Sequence, residues 1–193
     1  RFGLGNSYDQ NWTGRYNLYS VNLQTVSAVP TLAWKINDMF SVSAGLEIMN
    51  VNLTTEQKIP FPLDIPNPAT DSDIEVQASG WGVGGHFGLH ARLNDEWSIG
   101  LAYKTQVTVN AYGEAKHDGV LKDAGMLRDC DAHGTVQLPD SLALGVAYKP
   151  LDNLSFEVGA VWTRWSTYNS LNIYMDNGNQ SISHKNWNDG WNF

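Results

Sequence analysis

Between Trp81 and Arg92 the chain alternates without interruption. Trp81, Val83, Gly85, Phe87, Leu89 and Ala91 fall in one phase, and Gly82, Gly84, His86, Gly88, His90 and Arg92 fall in the other. A period of two sustained this long specifies a strand with one bulky apolar face and one small or polar face. Asn94 and Asp95 follow with turn chemistry, because short Asx side chains tolerate left-handed backbone and bond nearby amides. A second strand then places Trp97, Ile99, Leu101, Tyr103, Val107 and Val109 on one face, with Thr105 among them. Ser98, Gly100, Ala102, Lys104, Gln106, Thr108 and Asn110 take the other. The pair is a long hairpin.

The unit recurs twice. Leu32, Trp34 and Ile36 lead into Asn37-Asp38, after which Phe40, Val42, Ala44, Leu46 and Ile48 alternate with Ser41, Ser43, Gly45 and Glu47. Leu142, Leu144, Val146 and Tyr148 run into Pro150-Leu151-Asp152-Asn153, and Leu154, Phe156, Val158, Ala160 and Trp162 return. Connections at the opposite ends are long: residues 55 to 74, rich in proline, residues 113 to 134, rich in Gly, Asp and His, and a third near Asp176 to Lys185. A bulge is expected around Ser166 to Tyr168, and no helix is expected. Seven strands are predicted: 16–36, 40–54, 75–92, 96–112, 135–149, 154–175 and an incomplete one from 186.

Two all-β architectures fit such alternation, a transmembrane barrel and a soluble sandwich. Sandwich strands average about five or six residues, whereas these arms hold one phase for about nine to fourteen, near the ~9 to 11 that a tilted strand needs to cross hydrocarbon. The minor face also lacks the exposed Lys, Glu and Thr of a wetted sandwich. It carries Gly, Ser and Ala, which suit a crowded lumen, while the bulky face suits lipid, with Trp34, Trp81, Trp97, Tyr103, Tyr148 and Trp162 as girdle residues. Short turns on one side and long loops on the other are the asymmetry of outer-membrane barrels. The reading is an antiparallel transmembrane β-barrel; the competitor is a secreted, Trp-rich β-sandwich that binds carbohydrate by stacking. An open barrel edge would leave backbone groups unpaired in lipid, so the chain is expected to be part of a single, larger barrel domain.

Composition narrows the function. Twelve basic against twenty acidic residues, a formal charge of −8, oppose phosphate binding, and nucleic acid is not an expected partner. Cys130 is the single cysteine, so it has no partner within the chain. Asp129, Cys130, Asp131 and His133 resemble a metal cluster in composition but lack the usual ligand spacing. They are read as an acidic solvated loop, and neither a metal nor another cofactor is expected. No Ser, His and Asp are singled out as a triad, and no enzymatic activity is expected.

Specific residues add a resemblance. Tyr8-Asp9, Trp12, Gly14-Arg15-Tyr16 and Thr31 to Asp38 running to Ala44-Gly45-Leu46 are one part of it. Trp81-Gly82-Val83-Gly84, Leu101-Ala102-Tyr103-Lys104, Leu138-Pro139-Asp140-Ser141, Trp162-Thr163-Arg164-Trp165-Ser166 and Asn186-Trp187 continue it in order. This course resembles the FadL-type outer-membrane transporters of long-chain fatty acids and aromatic hydrocarbons. The resemblance implies a fourteen-stranded barrel in the bacterial outer membrane, monomeric as a full-length barrel and plugged by an N-terminal hatch. Hydrophobic molecules would be captured passively at the loops and leave sideways through the wall. Residues 1–193 would hold the middle of that barrel, with the hatch and the C-terminal strands outside them.

Within this frame the loop stretch Ile59, Pro60, Phe61, Pro62, Leu63, Asp64, Ile65, Pro66 supplies apolar residues for capture, or else packs upon itself. On the strand from Phe40 the lumen phase changes from Ser41, Ser43, Gly45 and Glu47 to Met49, Val51 and Leu53. Either a bulge flips the strand, or its inner face lines an apolar cavity. Lys58 would pair with a carboxylate head group, and Trp165 completes the expected contact set. Phe2, Gly3, Leu4 and Gly5 align with the family's inward-kinked strand and are the expected lateral opening.

Overall fold

The computed structural model describes residues 3–62, 65 and 67–193. Its strands are β1 (Gly3–Ser7), β2 (Ser20–Ala28), β3 (Thr31–Lys35), β4 (Phe40–Ile59), β5 (Ser72–Arg92), β6 (Trp97–Lys104) and β7 (Val107–Asp118), then, after a short helix α1 (Val120–Asp123), β8 (Cys130–Leu138), β9 (Ser141–Leu151), β10 (Leu154–Thr163), β11 (Ser170–Met175), β12 (Gln180–His184) and β13 (Gly190–Asn192). Among the described residues they form one antiparallel sheet of 13 strands. All lie in a single curled layer, an antiparallel half-barrel. The stacked carbohydrate-binding sandwich therefore does not describe this chain.

Physically the strands join into eight staves: β1, β2–β3, β4, β5, β6–β7, β8–β9, β10–β11 and β12–β13. The stave β1, whose glycines give no alternation, is one more than the seven predicted. Pro30 ends β2 only because it has no N–H: Ala28 pairs Ile48 and Thr31 pairs Gly45, in one unbroken register. Turns at Asn37 and Asn94 are held by Asx bonds. The N–H groups of Met39 and Phe40 donate to Asn37 Oδ1, and those of Glu96 and Trp97 to Asn94 Oδ1.

Three local expectations are corrected. Asp176 to Lys185 is not a long loop but a tight turn with Gly178 at φ 87° leading into β12, since Tyr174 pairs Gln180. The loop at 113–134 shortens because β7 runs to Asp118 and β8 starts at Cys130, and it contains the helix α1. The irregularity after Thr163 is a 3-10 turn over Trp165–Thr167.

A fourth correction concerns the faces. Below, His86 pairs Lys104; above, Trp81 pairs Asn110, so five steps on β5 match six on its partner. The extra residue is a β-bulge at Thr105-Gln106. It turns Val107 and Val109 from the outer phase of Trp97 and Leu101 to the interior, where both are fully buried. On β4 no such bulge occurs: its register with β5 is continuous from Phe40 to Ile59. Glu47, Met49, Val51 and Leu53 therefore share one inward face.

The result is a wall with two zones. In the lower zone, nearer the tight turns, the outside is apolar and uncovered: Leu32 is 85%, Trp34 75%, Val158 74% and Phe87 54% exposed. The inside there carries small residues with scattered polar groups, a trough of about 650 Å³ lined by Ser41, Ser43, Gly88, Gly100, Ala143 and Gly159. In the upper zone the outside is polar, with Asn52, Gln77, Glu114 and Gln137 exposed, and the inside is apolar. Met49, Val51, Val107, Val109, Val136, Leu138 and Tyr168 form one buried cluster, with Leu53, Ile74, Val76, Ala132, Ile173 and Met175 in a second above it. Tight curling in this zone needs Gly82 and Gly113. A Cβ on Gly82 would lie 2.6 Å from a Val107 methyl, and one on Gly113 would lie 1.8 Å from the Gln77 carbonyl.

Candidate functional site

The upper interior encloses a cavity of about 230 Å³. Each stave delivers its residues by the same two-residue step: Val21 and Leu23 from β2, Leu53 from β4, Ile74 and Val76 from β5, Ile173 and Met175 from β11. Asn17, Thr55, Gln57 and Lys185 give the rim its polar groups. Of the residues singled out from sequence, Leu53 lines the cavity, while Met49 and Val51 are fully buried in the cluster beneath it. Trp165 packs against that same cluster. Val21, Ile74, Val76, Ile173 and Met175 escaped the sequence reading. Those on β5 were legible in principle, because Ile74 and Val76 keep the phase of Gly82 and Gly84.

Above the cavity the loops are fastened by buried charge. Arg15 Nε lies 2.8 Å from Asp71 Oδ2, and the Tyr16 hydroxyl donates to both Asp71 oxygens at 3.0 and 2.9 Å. Lys58, expected to meet a ligand head group, instead has an internal partner. Its ammonium lies 2.6 Å from Asp73, to which the Tyr19 hydroxyl also donates at 3.2 Å. Burial, then the Asp73 carboxylate, push the Tyr19 phenol well above its ordinary value. Ile59 packs against the upper cluster, Phe61 is half-buried, and Ile65 is 60% exposed. Leu63 and Phe2 lie outside the described residues. Gly3, Leu4 and Gly5 belong to β1, which pairs β2 in regular register from Gly3↔Gln24 to Ser7↔Ser20.

At the same rim, α1 closes over β5 and β7. Leu121 is buried and its N–H donates to Ser72 Oγ at 3.0 Å. The His117 N–H donates to Asp129 Oδ1, which also accepts from Lys122 Nζ. His117 is buried with no partner for Nδ1. Burial lowers its pKa, opposed by the charge of Asp129. The cluster of Asp129, Cys130, Asp131 and His133 does not converge: Cys130 packs against the inner cluster, while Asp131 and His133 are exposed. Among the described residues no His, Cys, Asp and Glu side chains group as a metal site.

The lower interior holds a charge knot at the boundary of the two zones. Glu47, nearly fully buried, accepts from Lys104 Nζ at 2.9 Å and lies 3.1 Å from His86 Nε2. Three staves supply it, and it sits directly below Met49. The upper cavity thus has greasy walls around it and an ion cluster beneath, with Glu47 at its buried centre.

Comparison with known proteins places this geometry. The sequence profile of the outer membrane protein transport protein family (OMPP1/FadL/TodX) matches residues 1–193. Outer membrane protein P1 of Haemophilus influenzae is 25% identical over 208 residues, covering 94% of this chain and 44% of the relative. The crystal structure of a Pseudomonas aeruginosa FadL homologue superposes with a TM-score of 0.87 at 21% identity, over 98% of this chain and 49% of that one. The Ralstonia pickettii toluene transporter TbuX gives 0.70 at 19% identity, over 88% and 50%. The chain spans about half the length of these relatives. With the profile matching from end to end, this chain belongs to the OMPP1/FadL/TodX family of outer-membrane transport proteins and is part of a transmembrane β-barrel of the outer membrane of Gram-negative bacteria.

Proposed function

We propose that the full-length protein is a passive uptake channel for hydrophobic molecules, long-chain fatty acids or aromatic hydrocarbons. Solute is captured at the outer loops, enters the upper cavity and leaves through the barrel wall into the membrane. The observation that carries this reading is the apolar upper interior. A water-filled pore would be lined by polar groups throughout, whereas here Leu53, Ile74, Val76, Ile173 and Met175 surround a space of about 230 Å³. Burial of apolar solute surface, at about 25 cal/mol per Å², drives capture without any energy source, and the gradient does the rest. Resemblance to a protein named a toluene transporter agrees with a solute of this chemistry. The loop around Ile59, Phe61, Leu63 and Ile65 is the capture surface, and Phe2 to Gly5 mark the lateral opening the family resemblance implies.

The test is uptake of radiolabelled oleate and radiolabelled toluene by cells whose only transporter of this family is the full-length protein. Leu53→Asp should abolish uptake of both while the barrel still assembles in the outer membrane. Undiminished uptake by the assembled Leu53→Asp protein would refute the reading.

A further inference from the structure

The two apolar surfaces of this wall lie on opposite sides of it, inside above and outside below. A solute passing from the cavity to the bilayer has to cross the wall where they meet, and at that level the backbone ladder is already interrupted. β4 and β5 run through it unbroken. Beyond them the strands end and restart in step: at Thr105-Gln106, at Pro139-Asp140, over residues 164–169 and over residues 185–189. The gap widens away from β5. Lys104↔Ser141 and Val107↔Leu138 leave two residues on each stave, whereas from Ser141↔Thr163 to Thr135↔Asn172 six steps face nine, and from Thr163↔Gly190 to Ser170↔His184, where β10–β11 meets β12–β13, seven face six. Unpaired backbone at membrane depth is tolerated only where protein or a cavity receives it.

The narrow end is pinned by charge. Asp140, buried, accepts from the Tyr103 hydroxyl at 3.1 Å and lies 2.8 Å from Arg164 Nε, a contact too poorly aligned to be a hydrogen bond. The wide end is filled by three rings. Trp187 meets Trp165 edge-on and Tyr168 at a tilt, each with centroids 5.2 Å apart. Tyr168 also lines the cavity, so the inner end of the gap opens on it. Ser166 N–H donates to Asp189 Oδ1 at 3.0 Å and draws the two edges of the gap together.

We propose that this seam is a second opening in the wall, gated by Trp165, Tyr168 and Trp187, through which hydrophobic solutes pass from the cavity to the outer leaflet. The inference rests on the uptake reading above and adds a place of exit remote from β1. It is tested in the full-length protein with the pair Ser166→Cys and Asp189→Cys. Closing the seam by oxidation should lower uptake of oleate and toluene by about tenfold, as blocking a rate-setting gate does, and reductant should restore it. Binding of the fluorescent polyene cis-parinaric acid to the purified protein should stay unchanged. Full uptake with the disulfide complete overturns the seam and leaves the channel reading intact, whereas a wild-type protein that neither binds the polyene nor takes up either solute overturns both. Trp187→Ala needs no disulfide and should raise uptake about threefold by unplugging the gate; a rate equal to wild type counts against the seam.

Discussion

Ile48 and Met49 are neighbours on β4, yet Ile48 is 41% exposed on the outside and Met49 is fully buried inside. Two steps further up, the outward residue is Asn50 and the inward one Val51. Two steps down they are Leu46 and Glu47. The lower wall is therefore apolar outward, and the upper wall apolar inward. In lipid the wall gains nothing by hiding its greasy face and must keep its charges within; once the same staves project into water, the ordinary rule of an apolar interior returns. The two zones use one backbone register on β4 and β5 and a bulge on β6–β7. The upper part of this wall is thus built like the core of a soluble protein, around a cavity of about 230 Å³.

The contrast can be broken by placing charge in each zone. Met49→Lys puts an unpaired ammonium into the fully buried cluster and should cost about 3–5 kcal/mol, read as a lower urea midpoint of the refolded full-length barrel by tryptophan fluorescence. Leu46→Arg, only three positions away but facing the acyl chains, should cost about 2–4 kcal/mol in bilayers and far less in a detergent that can rearrange around it. If the two substitutions respond equally to the change from bilayer to detergent, the zones are wrongly assigned. Glu47→Gln removes the carboxylate charge between Lys104 and His86 and turns one of its two acceptor oxygens into a donor; it should cost about 2 kcal/mol, seen in the same titration, while Asn52→Asp on the wetted outer face should stay within about 0.5 kcal/mol of wild type.

A smaller effect sharpens the upper zone alone. His117 has its pKa lowered by burial, so the folded rim binds a proton less readily than the unfolded one. Stability from this group is full above the ordinary imidazole value of 6.5 and is lost as pH falls from there through the lowered value. Hydrogen exchange at residues 117–129 should accelerate as pH is lowered below 6.5, after correction for the intrinsic rate, and His117→Gln should flatten that dependence. A pH response unchanged by His117→Gln would assign the titration to another group.

Much of this was legible before any coordinates. The alternation from Trp81 to Arg92 specified a strand with a lipid face, and every large residue of that phase from Trp81 to Leu89 is exposed on the outside. The Asn37 and Asn94 turns were equally plain, because Asx bonding is local. For Met49, Val51 and Leu53 the sequence allows either a flipped strand or an apolar interior, and the continuous pairing of β4 with β5 gives an apolar inward face. Val107 and Val109 went to the wrong face because Thr105-Gln106 carries no residue that betrays a bulge. Lys58 looked available because its partner Asp73 lies across a loop, and the 3-10 turn at Trp165 was visible only as an irregularity.

Period-two patterning, turn residues and the scarcity of charge on one phase settled by themselves that this chain makes long antiparallel strands with a lipid-facing side. Those signals are carried by residues within a few positions of one another. Where the faces exchange roles was decided by register between staves, which depends on one extra residue here and three there, and on carboxylates such as Asp71 and Asp140 finding cations and hydroxyls far along the chain. Such pairings are set by closure of the sheet as a whole, so only the tertiary structure shows the cavity, the charge knot beneath it and the seam at its side.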